Sequence, residues 1–143
     1  MADPLDFPAR GKVLRTTDAG VIFAPSGTTY QLHLNTTAPY AGPLDKPVRA
    51  ILRARARKVY TIPTGGNFIT PIVGPPRIVQ GWVLYVDDRQ LVVDGGAKFL
   101  IELPFEDSAI DLDEGALVVN NRVNVTLFPG ATFELAPQPA AAK

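Results

Sequence analysis

The sequence predicts an all-β protein built as a tandem duplication of one small five-stranded barrel. Three observations predict it. Short apolar stretches alternate with polar residues at period two, the pattern of half-buried strands. Twelve Gly and fourteen Pro are spread between those stretches instead of forming one tract, which is the distribution of tight turns between strands. The first half of the chain also returns in the second, in its apolar positions, its turns and their order.

The repeat is readable residue by residue. "GKVLRTTDAGVIFAPSG" (11–27) lies over "GWVLYVDDRQLVVDGGA" (81–97) without a gap. Gly11 meets Gly81, Val13 meets Val83, and Val21-Ile22-Phe23 meet Leu91-Val92-Val93. One deletion later, "YQLHL" (30–34) lies over "FLIEL" (99–103). Arg49 then matches Arg122 at the start of an alternating run, Ile62-Pro63 matches Phe128-Pro129, and Phe68 matches Phe133. "TPIVGPPR" (70–77) is the expected linker.

Each copy reads as five strands. In the first they fall at 11–17, 21–25, 28–35, 48–62 and 67–73, and in the second at 78–87, 90–94, 97–103, 121–128 and 131–136. Strands one and two are joined by "DAG" and "DDRQ", two and three by "PSGTT" and "DGG", four and five by "PTGG" and "PG". All of these carry hairpin turn chemistry. Strand three shows the alternation plainly, with Tyr30, Leu32 and Leu34 set against Gln31 and His33. The longest connection joins strands three and four, and in the second copy it has room for a helical turn or two.

Three strands, a connection and two more strands in this length follow the order of an OB-like barrel; an SH3-like small barrel is the other topology that fits. The expected domains are therefore 1–73, with an extended basic fourth strand, and 74–137, with an acidic connection between its third and fourth strands. Residues 138–143 are expected to be a frayed tail.

With 143 residues, 46% of them hydrophobic, the chain can bury a core unaided. It has no cysteine, which removes disulfides, thiolate nucleophiles and cysteine-held metal sites. The N-terminal "MADPLDFPARGKV" has no apolar h-region and no run is long enough to span a bilayer. The expectation is a cytoplasmic protein without a membrane role. Asn35-Thr36-Thr37 and Asn124-Val125-Thr126 match the glycosylation pattern by chance under that expectation.

The formal net charge of zero divides unevenly. Residues 1–77 carry ten Lys/Arg against four Asp/Glu, a net +6, and residues 78–143 carry four against ten, a net −6. Such asymmetry is an argument about partners. The positive charge concentrates in "RAILRARARKVY" (49–60), which holds Arg49, Arg53, Arg55, Arg57 and Lys58 and ends on Tyr60. Thirteen residues separate Arg49 from Ile62, but only six separate Arg122 from Phe128. The basic stretch is thus a surplus of about seven residues on one copy.

If that stretch stays extended, Val48, Ala50, Leu52, Ala54 and Ala56 point one way and Arg49, Ile51, Arg53, Arg55 and Arg57 the other. Side chains on one face then recur every ~6.6 Å, and the arginines form a stripe that must be solvated or neutralised. Three roles fit: a charge-protected edge, a phosphate track for single-stranded nucleic acid with Tyr60 as a stacking ring, or a contact with an acidic protein surface. The chain offers one such surface itself. "EDSAIDLDE" (106–114) holds Glu106, Asp107, Asp111, Asp113 and Glu114, within reach in the same chain or between chains of a homo-oligomer.

Catalytic signals are sparse. His33 is the only histidine and alternates with two leucines, without a neighbouring partner for general-base work. Neither "PTGG" nor "DGGAK" completes a phosphate-binding loop, and no serine sits in a nucleophile elbow. The acidic stretch lacks the spacing of an EF-hand calcium loop, and Asp87-Asp88 sit where a turn wants Asp for backbone reasons. The expectation is a non-catalytic binding module with no cofactor and no metal. Its best-fitting partner is single-stranded nucleic acid; an assembly role, basic copy against acidic copy or acidic partner, is the alternative.

Overall fold

The computed structural model describes residues 3–137. Its strands are β1 (Ala9–Thr16), β2 (Gly20–Pro25), β3 (Gln31–Asn35), β4 (Pro47–Ile62), β5 (Phe68–Thr70), β6 (Val73–Gly74), β7 (Ile78–Val86), β8 (Gln90–Asp94), β9 (Lys98–Glu102), β10 (Ile110–Asp111), β11 (Arg122–Leu127) and β12 (Thr132–Leu135). Two single 3-10 turns, Pro4–Asp6 and Asp107–Ala109, are the helical elements among the described residues. Among the described residues no helix is long and apolar enough to cross a membrane. The expected tail at 138–143 lies outside the described residues.

All strands belong to one mixed sheet of 12 strands. The hairpins β1–β2, β2–β3, β7–β8 and β8–β9 form where the turn residues predict them. Asp87 shows why an aspartate stands in such a turn: its Oδ1 accepts hydrogen bonds from the Arg89 and Gln90 amides at 2.8 and 3.0 Å. A Cβ on Gly81 would collide with the Asp94 carbonyl oxygen, and one on Gly11 with that of Ala24. These glycines let the partner strand cross at close range, the usual reason for glycine inside a strand.

The sixteen-residue β4 organises the rest. Its first part pairs antiparallel with β1 (Arg49 opposite Arg10) and with β12 (Leu52 opposite Phe133). Farther along, it pairs parallel with β9 (Leu52 to Arg55 beside Phe99 to Glu102) and antiparallel with β11 (Tyr60 opposite Asn124). Since β12 also pairs parallel with β3, and β11 antiparallel with β7, the pairings return to β4 on both sides. One circuit runs β1-β2-β3-β12-β4-β1 and the other β7-β8-β9-β4-β11-β7.

Two sequence expectations change here. The expected fifth strands do not close as hairpins on the fourth: of 67–73, β5 pairs with β7 and only the end at Val73, in β6, meets β3 of its own half, while β12 pairs with β4 and β3. The expected counterpart of Arg49 also differs: counted from Gly11 and Gly81, Arg49 falls level with Asn124 and not with Arg122. Both ladders run the same way, but Arg49 and Val48 lie opposite Arg10 and Gly11, whereas Asn124 and Val123 lie opposite Gln80 and Gly81. A slip of two preserves the in-out alternation, so the pattern alone cannot detect it.

The core follows the alternation. Ala50, Leu52, Ala54, Ala56 and Val59 of β4 are buried in one cluster with Phe23, Leu32, Val79, Phe99, Val125 and Phe133, so both halves of the chain contribute. Phe23, Tyr40 and Phe133 pack ring against ring at 5.5–5.6 Å between centroids. A second, smaller cluster joins Ile51 to Val92 and Leu100.

Candidate functional site

The basic stretch is fixed by its neighbours, and they divide it. Arg53 Nε donates to Glu134 Oε1 at 3.3 Å. Arg55 stands beside Glu102 in the parallel β4–β9 ladder. Both carboxylates come from the acidic half of the chain. Ile51, expected to stand exposed on the arginine face, is 3% exposed and belongs to the smaller apolar cluster. Arg49, on the far side of Ile51, is half buried. The arginines therefore do not form one continuous stripe.

At Arg57 the strand breaks step. Lys58 lies opposite Thr126 but Ala56 opposite Leu127, so Arg57 is the extra residue of a β-bulge. A bulge advances the strand by one residue and flips its later side chains. Simple alternation would send Lys58 and Tyr60 into the core. With the bulge, Val59 and Thr61 are buried and Lys58 and Tyr60 emerge on the outer face with Arg57. Thr61 is the one buried polar residue among those described, and its hydroxyl donates to the Gly115 carbonyl at 2.8 Å, tying the acidic loop to β4.

The outer face of β7, β11 and β4 is laid out in rows by the ladders. One row is Ile78-Thr126-Lys58, the next Gln80-Asn124-Tyr60, and then Trp82-Arg122-Ile62. Arg122 stacks its guanidinium 3.9 Å from the centroid of the Trp82 ring and donates to Asn67 Oδ1 at 2.8 Å. Asn124 Nδ2 donates to Gln80 Oε1 at 2.9 Å. The carboxylates in register with this face, Asp94 beside Trp82 and Asp111 beside Tyr60, stand at its two rims.

Where this face meets the bulge, Arg55 and Arg57 both stand over the Phe128 ring, at 5.0 and 4.8 Å from its centroid. Two clefts meet at Arg57. One, of 280 Å³, lies between Arg55, Arg57, Phe128 and the β9–β10 connection, with Phe105, Glu102 and Glu106 on its far wall. The other, of 760 Å³, is lined by Arg57, Arg77, Thr70, Thr126 and four prolines, and no carboxylate among the described residues borders it. Phe105 is 95% exposed.

The acidic loop lies beside the C-terminal part of β4, because Ile110 and Asp111 pair with Val59 and Tyr60. Glu106, Asp107, Asp111, Asp113 and Glu114 are all exposed. The only salt bridge among the described residues is Arg53–Glu134, so none of these five is joined to an arginine of the stripe. The Asp111 carboxylate accepts from the Asp113 amide at 2.9 Å instead. No three His, Asp or Glu side chains among the described residues converge to hold a metal ion. His33 is half buried on β3, opposite Ile22.

Of the residues expected to bind an anionic partner, the structure brings Arg55, Arg57, Lys58 and Tyr60 together and sets Arg49 and Arg53 apart. Sequence reading passed over Trp82, Arg122, Asn124, Arg77, Phe128 and Phe105. For Trp82 a signal existed: the chain's single tryptophan sits between Gly81 and Val83, an outward position of an alternating strand. Comparison with protein-family models, with curated proteins and with solved structures finds no match.

Proposed function

We propose that the protein is a non-catalytic binding module for single-stranded nucleic acid, working through the face centred on Arg57. Each circuit of strands reads as an OB-like five-stranded barrel, and the two as copies of one unit. The pairing order supports this reading: first-second-third-fifth-fourth in both circuits, with the third and fifth strands parallel, as in the OB-fold. On this reading each copy takes its fifth strand from the other half, β12 for the first and the C-terminal part of β4 for the second. The seven surplus residues of the basic stretch are then the strand that completes the second barrel.

The observation that carries the binding reading is the joining of cations and rings at the bulge. Arg57 borders two clefts and shares the Phe128 ring with Arg55. Arg77, Lys58 and Arg122 continue the positive charge, Tyr60 and Trp82 continue the rings, and Asp94 and Asp111 stay at the rims of the β7-β11-β4 face, while Glu102 and Glu106 border the smaller cleft only. Proteins that hold single strands combine a positive groove with rings on which bases stack, each stacked base contributing about 1–3 kcal/mol.

The test is titration of the full chain with a short fluorescent oligonucleotide over a salt series. Affinity is expected to fall with salt by a log–log slope of about −0.7 for each neutralised phosphate. Arg57→Ser with Lys58→Ser should flatten that slope, whereas Arg53→Ser, whose charge is already met by Glu134, should leave it unchanged. No binding by the wild-type chain at low salt would remove the proposal.

A second reading has its own observation. The Arg53–Glu134 bridge and the Arg55–Glu102 register support a contact of the basic half with the acidic half inside one chain. In that case the charge asymmetry is an assembly device of the fold, and light scattering across the same salt series should show one mass near 15.4 kDa throughout.

A further inference from the structure

We propose that Arg10 and Arg49 form a second site, binding a phosphate-type oxyanion at the opposite end of β4 from Arg57. The two residues are directly opposed in the β1–β4 ladder. Directly opposed side chains share one face of a sheet with their Cβ atoms about 4.5–5.5 Å apart, where like charges destabilise. Arg49 Nε is shut off from solvent and has no hydrogen-bond partner among the described residues. A charged donor left in that condition is unfavourable. Both features ask for an anion.

The surroundings suit one. Arg10 and Arg49 border a pocket of 580 Å³ together with Ser26, Pro43, Pro47 and Leu135, and no carboxylate among the described residues lines it. Arg10 is exposed while Arg49 is half buried. Two guanidinium groups supply a charge of +2. A phosphate monoester, at about −1.5 to −2 near neutral pH, balances that better than a single carboxylate does. The planar fork of each arginine also matches phosphate oxygens two at a time.

The other ladder shows that the fold itself does not need this charge pair. Ala9 opposite Ala50, Arg10 opposite Arg49 and Gly11 opposite Val48 correspond, in strand direction and register, to Val79 opposite Val125, Gln80 opposite Asn124 and Gly81 opposite Val123. At the middle position the second ladder carries neutral amides that satisfy each other at 2.9 Å. The first carries two cations and an unpartnered donor.

The experiment is calorimetric titration of the full chain with inorganic phosphate and, separately, with adenosine monophosphate, at constant ionic strength set by chloride. Saturable binding is expected. The double variant Arg10→Gln/Arg49→Asn, which copies the neutral pair of the other ladder, should lose about tenfold or more in affinity. In phosphate-free buffer it should melt no lower than the wild-type chain, since it removes an unfavourable contact. Arg10→Gln alone, an exposed change, gives a second measure of the loss. Arg57→Ser/Lys58→Ser should keep the response to inorganic phosphate; monophosphate binding lost in that variant belongs to the nucleic-acid face, and only the part lost in Arg10→Gln/Arg49→Asn counts for this site. Tighter binding of the monophosphate assigns the site to a phosphate carried on a larger molecule, and equal binding to free phosphate. No saturable heat with either probe, or undiminished binding by the double variant, overturns the proposal.

Discussion

Arg53 donates to Glu134 at 3.3 Å across the β4–β12 ladder, joining the basic half of the chain to the acidic half. Both side chains are half exposed, at 47% and 59%. Exposed ion pairs contribute little because water screens them and ordering two long side chains costs entropy. In a double-mutant cycle of Arg53→Gln and Glu134→Gln, the coupling is expected at about 0.2–1 kcal/mol at low salt and near zero at high salt. A larger, salt-independent coupling would show that this contact helps to hold β12 on β4.

Gly81→Ala should destabilise the protein by about 1–3 kcal/mol, the range for forcing atoms into a packed site. The added methyl has backbone against it, the Asp94 carbonyl, and neither strand can yield alone. Urea unfolding measures this as a lower midpoint with an unchanged slope. Gly27→Ala is a useful contrast: a Cβ there meets nothing, but the backbone has φ 75. Its cost, about 1 kcal/mol or so, comes from conformation rather than from collision.

Asp87 titrates below its ordinary carboxylate value, first because the Tyr85 hydroxyl donates to it at 2.7 Å and then because of the Arg89 amide. Tyr85 is raised by the same bond. A lowered carboxyl favours the folded state above the unfolded chain's value, and the contribution fades as pH falls through the folded value. Tyr85→Phe should therefore move the Asp87 titration upward, toward the ordinary range, in a carboxyl-detected NMR experiment. An unmoved Asp87 would assign the shift to the turn amides alone.

Trp82→Ala and Phe128→Ala separate stacking from charge on the proposed nucleic-acid face. Each is expected to weaken oligonucleotide binding by about 1–3 kcal/mol while leaving the salt slope as it is, because neither removes a phosphate contact. Trp82 is 40% exposed, so its loss should leave the fold intact by circular dichroism. Equal binding by both variants would leave the face with electrostatics only.

Much of the fold was legible because strand periodicity is a local property. Whether a residue points in or out depends on its immediate neighbours, so Leu32, Leu34, Ala50, Leu52, Ala54 and Ala56 could be assigned to the core from the sequence. Turns are local as well, and Asp87 is placed by bonds to residues two and three positions away. The candidate site was legible in part: the stretch 49–60 carries its charge in plain view, and Tyr60 closes it. Nothing local announces that Ile51 lies against Val92 and Leu100, or that Arg10 is opposed to Arg49. Each of those contacts is made across a large separation in the chain.

By itself, then, the sequence determined an all-β chain, the hairpins β1–β2, β2–β3, β7–β8 and β8–β9, the inward face of β3 and of β4 as far as Ala56, and the opposition of charge between its halves. Tertiary structure decided which strands β4 joins, that β12 pairs with β4 and β3, and where the registers lock. The reason is physical. A strand edge offers the same N–H and C=O groups to any partner, so pairing is chosen by how the whole core packs. One extra residue at Arg57 then sets Lys58 and Tyr60 facing outward, because alternation has period two and a single insertion reverses it. Local pattern settles a face as long as the alternation is unbroken; the assembled sheet settles partners, and with them the bulge that turns Lys58 and Tyr60 outward.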